Sequence, residues 1–332
     1  MTVAIDPVVG RAVTLDDGRL RVRVLPDHGA DIASVYVVER DLELLFQTPW
    51  GRRDRRHLPP RTSTYTAWMD GYGGGWQVLC PNAGFACEGD GGVEWGYHGE
   101  ACRLAWQLID ADSGHAELQV DLLCAPLRLR RRITLAGGML RVAESLTNLS
   151  PRQVEAMWVQ HPAFGAPLVD GARIETSARR VFSDPEIPGD VVPAATSWPW
   201  PQATDRDGAA IDLSQLPSAG EPRALLAYLA DFPAAADPEA AIVNDRLGLR
   251  AGLRWSADPW PAAWLWQEVH ATPGHPWFGR AHVCAIEPAS TTPALGAQRA
   301  RELGGRLTRV PAGETHEGWI ELSVTATEGL TA

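Results

Sequence analysis

The chain of 332 residues contains no lysine. That absence removes Schiff-base chemistry and the lysine-dependent phosphate loop. All basic work falls to arginine and histidine. Cysteine is scarce. Cys80, Cys87, Cys102, Cys124 and Cys284 form an odd set without a C-x-x-C pair, so neither a disulfide framework nor a zinc site is signalled. Cys102, Cys124 and Cys284 lie in apolar strand-like runs and read as buried, inert thiols. No apolar run reaches membrane-spanning length, and the first residues show no basic segment followed by an apolar stretch. A soluble protein in the reducing cytoplasm is expected, with no membrane partner. Net charge is −11. No basic patch could track a phosphate backbone, so nucleic acid is not expected as a partner. The cluster Arg52, Arg53, Arg55, Arg56 includes Asp54 and reads as a solvated loop.

Long helical periods are also missing, and Asp237 to Val243 is the only short helix suggested. What is present is strand pattern. Leu20, Val22 and Val24 alternate with Arg21 and Arg23, as in a half-buried strand. Pro26-Asp27-His28-Gly29 forms a turn, followed by strands over Asp31 to Val38 and Leu42 to Phe46. Further strand patterns cover Ala101 to Ile109, Ala116 to Cys124, Leu127 to Ile133, Met139 to Asn148, Ala172 to Arg180 and Ala224 to Leu229. Trp255 to His270, Ala281 to Ile286, Gly304 to Val310 and Glu317 to Val324 complete the set. Residues 49 to 66 and 183 to 222 read as loops. Many short strands and almost no helix predict an all-β sandwich or barrel. Without a fixed repeat or composition break, residues 1–332 read as one domain.

Three segments could carry chemistry. In Trp158-Val159-Gln160-His161-Pro162-Ala163-Phe164-Gly165 a β-type run from Val154 leads to His161, and Pro162 is expected to stop the strand there. Trp95-Gly96-Tyr97-His98-Gly99-Glu100 places His98 in a turn. Glu287 follows the apolar run Val283 to Ile286 and precedes Pro288. A carboxylate at the end of a buried strand is costly unless paired or used. Fourteen tryptophans is a high count. Trp76, Trp95, Trp158, Trp264, Trp266 and Trp277 fall near glycine turns or these polar segments. Any one of them suits a core, but as a group they suit a pocket for the apolar C–H faces of a sugar. The glycines of Gly73-Gly74-Gly75-Trp76 suggest a loop beside that pocket, since no helix pattern follows to make a phosphate cradle. There is no Gly-x-Ser-x-Gly elbow for a serine hydrolase. His98, Glu100 and His161 leave a metal site open, because His98 and Glu100 would share a face on a strand.

Taken together, these motifs resemble the aldose 1-epimerase (galactose mutarotase-like) superfamily. The resemblance runs from Val24-Leu25-Pro26-Asp27-His28-Gly29-Ala30 through Gly74-Gly75-Trp76, Pro81-Asn82, Tyr97-His98-Gly99-Glu100 and Gln160-His161-Pro162-Ala163-Phe164. It ends at Ile286-Glu287-Pro288 and Pro311-Ala312-Gly313-Glu314. It implies a large antiparallel β-supersandwich with a sugar in a cleft across one sheet. By the same resemblance His98 hydrogen-bonds sugar oxygens, His161 is the general acid towards the ring oxygen, and Glu287 is the base towards the anomeric hydroxyl. Trp76, Asn82, Trp95, Glu100, Trp158, Gln160 and Trp266 are the expected substrate-binding residues. The standard enzymes also carry an Asn-Arg pair near the first histidine and an aspartate for sugar hydroxyls. Neither is placed in this sequence, and the Gly74-Gly75-Trp76 version with Pro81-Asn82 looks like a divergent branch.

The residue types fit that chemistry directly. Opening a hemiacetal removes a proton from O1 and delivers one to the ring oxygen. A carboxylate and an imidazolium do this without cofactor or metal. The expected partner is therefore a small-molecule sugar. Two alternatives are a non-catalytic sugar-binding protein and a metal-dependent sugar isomerase or lyase on the same fold. A sugar phosphate held by Arg103 or Arg280 is a further variant.

Overall fold

The computed structural model describes residues 2–327. Most of the strands lie in two large antiparallel sheets, as the resemblance implies. The first has twelve strands among the described residues. Its six central strands are β1 (Asp31–Val37), β2 (Trp76–Leu79), β3 (Val159–Gly165), β4 (Arg223–Ala230), β5 (Ala262–Val269) and β6 (His282–Ala289). They lie side by side in the order β1-β2-β3-β6-β5-β4. The second sheet has eight strands, with Met139–Asn148 between Leu127–Ala136 and Thr315–Ala326 near its middle. Side chains from both sheets join one hydrophobic core. No helix among the described residues is long and apolar enough to cross a membrane.

Several local expectations need correction. The segment read as a short helix at 237–243 is the strand Glu239–Asn244, held between Arg173–Thr176 and Leu249–Trp255. Five of its six residues are buried, so no one-sided alternation was visible. The 183–222 stretch holds the short strands Ser197–Pro199, Gln202–Thr204 and Ala210–Asp212. The end of the 49–66 loop opens the helix α1 (Thr64–Gly71), capped by the Ser63 hydroxyl on the Thr66 amide. A second short helix, α2 (Ala297–Glu302), precedes the last strands.

Two of the four clustered arginines are not solvated. Arg55 reaches within 3.5 Å of the fully buried Asp31 carboxylate and donates to the Cys102 carbonyl. Arg52 donates to the carbonyls of Ala33 and Gly74. A buried carboxylate requires a cation or donors, and here arginine supplies them. The glycine run also serves backbone packing. A Cβ on Gly74 would lie 2.0 Å from the Phe46 carbonyl oxygen, so only glycine permits that crossing.

Pro162 does not end its strand, and Glu287 is not at a strand end. His161 is third of seven residues in β3, and Glu287 is sixth of eight in β6. Val159 pairs with Ala289 and Ala163 with Ala285. The same register places His161 opposite Glu287. Ala163 donates to Gly75, away from β6, whereas Ser290 donates to Trp158, towards β3. Alternation then points positions 162 and 288 at the shared seam, and both are proline. The missing donors account for a ladder interrupted where the two functional side chains stand.

The opposite faces of these strands are tied to the second sheet by a buried polar knot. Arg131 and Glu144 are cross-strand partners, fully buried, with Nε and Oε1 2.7 Å apart. Gln160 accepts from Trp76 at 3.0 Å and Arg131 at 3.1 Å, and donates to Glu144 at 2.5 Å. The Trp158 indole also donates to Glu144, at 3.0 Å. Removing one ion of a buried pair strands the other, which costs about 3–5 kcal/mol. Glu144→Leu should therefore lower the free energy of urea unfolding by about that amount. The double variant Arg131→Met with Glu144→Leu should recover most of the loss.

Candidate active site

One transverse row of side chains crosses the first sheet on the face away from the knot. Asp31 and Gln77 share a level in register and are bonded at 2.9 Å. Gln77 pairs with His161, Glu287 with Trp264, and Trp264 with Tyr228. Cross-strand neighbours project to the same face, so six strands each place one residue in this row. Above its centre lies a cavity of about 470 Å³. His161 and Glu287 form its floor with Trp264 and Trp266 of β5, while Trp68 of α1, Tyr97 and Trp277 form walls.

His161 Nε2 stands 3.7 Å from Glu287 Oε1, and both side chains are almost wholly buried. Burial lowers the His161 pKa to about 4 and pushes the Glu287 carboxyl well above its usual range. Burial thus favours uncharged imidazole beside carboxylic acid in this pair. His161 Nδ1, Glu287 Oε2 and the Tyr72 hydroxyl are buried without a hydrogen-bond partner among the described residues. Tyr72 packs edge-on to His161 with ring centroids 6.0 Å apart. Burial, reinforced by Glu287, raises its pKa, so the phenol stays protonated.

His98 is held in the left-handed region at φ 58°. Its Nδ1 accepts from the Gly84 amide at 3.0 Å, and its own amide donates to the Gly84 carbonyl. The neutral ring then carries its proton on Nε2 and is a donor there. Burial first, and His161 second, push its pKa well below the usual value. The His98 and His161 rings are 5.9 Å apart.

His98, His161, Glu287 and Trp266 thus come together at the cavity, and Trp264 and Trp277 join them. The remaining expected substrate-binding residues do not. Trp76, Trp158 and Gln160 sit on the other face, in the inter-sheet knot, because strand alternation turns the neighbours of His161 away from it. Trp95 is buried and donates to the Cys124 carbonyl. Asn82 ties the carbonyls of Phe85 and Gly96 to the Ala297 amide. Glu100 accepts from the amides of Leu123 and Cys124, at 2.6 and 2.7 Å. It does not join the two histidines, so the trio considered for a metal is not assembled. Arg103 does not line the cavity, and Arg280 donates to the Pro49 carbonyl.

Tyr65, Trp68 and Tyr72 were missed by the sequence reading. Tyr65, Trp68, Met69 and Tyr72 follow the i, i+3, i+4, i+7 spacing of a helical face, just after the Ser63 cap. The Arg- and Pro-rich residues before them masked that signal.

The arrangement makes a direct titration prediction. Nitrogen-detected NMR should show His98 as the neutral Nε2–H tautomer and His161 titrating near pH 4 in the empty protein. An unfolded histidine titrates near 6.5. The His161 contribution to stability should be complete above about pH 6.5 and lost as pH falls towards 4.

No curated protein matches this sequence. Among solved structures, similarity extends over nearly the whole chain at low identity. A protein from Synechocystis sp. PCC 6803 aligns with TM-score 0.68 and 16% identity, covering 98% of this chain and 99% of that one. A galactose mutarotase-like protein from Clostridium acetobutylicum aligns with TM-score 0.64 and 14% identity, covering 96% of each chain. A galactose mutarotase related enzyme from Lactobacillus acidophilus aligns with TM-score 0.62 and 15% identity, covering 97% and 100%. These likenesses show a galactose mutarotase-like fold, in keeping with a divergent branch. The sequence also matches one family description over residues 9–324, nearly its full length. On that match the chain belongs to the family described as Domain of unknown function (DUF4432).

Proposed function

We propose that the protein is a carbohydrate mutarotase or related epimerase that opens and recloses the ring of a neutral aldose. The observation that carries this reading is the His161–Glu287 pair, side by side at 3.7 Å on the floor of an aromatic cavity. The hydroxyl and ring oxygens at an anomeric centre are bonded to the same carbon. The base for one and the acid for the other must therefore stand close together, and the 3.7 Å separation of these two side chains suits that requirement.

The reaction starts from the ion-pair form of the shared proton. The Glu287 carboxylate takes the O1 proton while the His161 imidazolium gives its Nε2 proton to the ring oxygen. The C1–O5 bond breaks and an open aldehyde results. Rotation about C1–C2 presents the other carbonyl face, and the two transfers run in reverse. Burial favours the neutral pair when the cavity is empty, and hydrogen bonds to sugar hydroxyls favour the charged pair. Nε2–H of His98 donates to a sugar oxygen. Trp266 and Trp277 offer indole faces to the ring. No arginine is among the described lining residues, so a phosphate or uronate would lack a counter-charge. The likeness to the galactose mutarotase-like protein from Clostridium acetobutylicum and the galactose mutarotase related enzyme from Lactobacillus acidophilus supports the same reaction class.

Polarimetry of freshly dissolved α-D-glucose and α-D-galactose tests this reading. The wild type should accelerate equilibration. Glu287→Gln and His161→Asn should each lower kcat by about 10²–10⁴-fold with little change in KM, and glucose 6-phosphate should be a poor substrate. Sugar binding without acceleration of any aldose would instead make the protein a binding module.

A further inference from the structure

A second, shallower depression of about 620 Å³ opens beside the cavity. The two share Tyr65, Phe85 and Tyr97, so one continuous wall runs from the floor outwards. Beyond that wall the lining changes from aromatic to hydroxyl and carboxylate, with Thr62, Ser63 and Thr64 on one side and Glu88 and Glu94 on the other.

Phe85 is 43% exposed, a high value for a large apolar side chain. Its position is fixed. At Gly84, with φ 91°, a Cβ would lie 2.0 Å from the Ala294 carbonyl oxygen. The Phe85 carbonyl is bonded to Asn82, which also binds the α2 amide of Ala297. An exposed aromatic ring held on a rigid loop is a platform for the apolar face of a sugar. Glu88 and Glu94 face each other across a two-residue ladder, both exposed. Like charges in directly opposed positions destabilise a sheet. Neither carboxylate has a cation partner among the described residues. Carboxylates so placed can accept hydrogen bonds from pairs of hydroxyls.

We propose that this depression is an outer subsite for a second sugar residue, and that the substrate is the reducing end of a neutral disaccharide or longer glycan. The inference rests on the mutarotase reading and extends it. With C1 at His161 and Glu287, the far side of the ring carries C4. A 1→4-linked ring then leaves along Tyr97 and Phe85 and places its hydroxyls at Thr62, Glu88 and Glu94. The inner cavity falls in the lower half of the usual range for small-molecule sites, roughly 300–1,000 Å³. The two depressions together slightly exceed the upper end of that range, which leaves room for two rings.

The test compares lactose and maltose with galactose and glucose, by NMR exchange between anomers. The disaccharides should show kcat/KM at least tenfold higher than the monosaccharides. Phe85→Ala and Glu94→Gln should bring that ratio towards one, mainly through KM for the disaccharide. Equal kcat/KM for both classes in the wild type, or a ratio unmoved by both variants, would overturn the subsite. Absence of acceleration with every sugar would overturn the mutarotase reading instead. Titration calorimetry of Glu287→Gln with maltose and glucose then decides the subsite separately. Tighter maltose binding that is lost with added Phe85→Ala supports it, and equal affinities reject it.

Discussion

The buried ion pair of Arg131 with Glu144, closed by Gln160, is the constraint on which the site depends. Gln160 is the immediate neighbour of His161 in a strand whose side chains alternate between faces. Satisfying Gln160 against the second sheet leaves His161 no choice but the opposite face. A one-residue slip of this strand would bury an imidazole against the ion pair and leave the Gln160 amide in the cavity. Both errors cost unsatisfied polar groups in a dry interior. The inter-sheet knot thus works as a register lock for the cavity floor, although it touches nothing in the cavity.

The second constraint is solvation. His161, His98 and Glu287 are all removed from water, and burial alone moves each towards its uncharged form. The cavity presents aromatic faces, two imidazoles, phenols and the acidic side chains of Glu287 and Glu268, without a cation among the described lining residues.

How much of this was legible in the sequence depends on how exposed each element is. The all-β class shows in the alternation of Leu20–Val24 and Leu127–Ile133, strands with one wet face. The inward phase of Arg131 and Glu144 is written in the same alternation, but their partners are not, because pairing across sheets leaves no sequence period. The central strands β3 and β6 are buried on both faces, so prolines at 162 and 288 looked like strand ends when they are gaps in one seam. Glu287 stood out because a carboxylate after an apolar run needs a reason, whereas His98 and His161 drew their proposed roles from the resemblance of their short motifs. Gln160, Trp158 and Trp76 were assigned to the pocket by proximity in sequence, which in a strand places nearest neighbours on opposite sides. Asn82 and Glu100 were polar residues near a motif, and their amide-capping roles are invisible without the loops they bind.

The row formed by Asp31, Gln77, His161, Glu287, Trp264 and Tyr228 has an evolutionary consequence. Each member comes from a different strand, and each strand is fixed by its own backbone ladder. The row therefore behaves as a set of independently exchangeable letters. One strand can change its letter while the backbone that carries the others stays in place. An insertion or deletion of one residue inside any of these strands would invert a letter to the wrong side of the sheet. Variation among relatives should thus accumulate as point substitutions along this line and as length changes in the loops above it. A fold built this way can diverge in what it accepts while its strands stay in register.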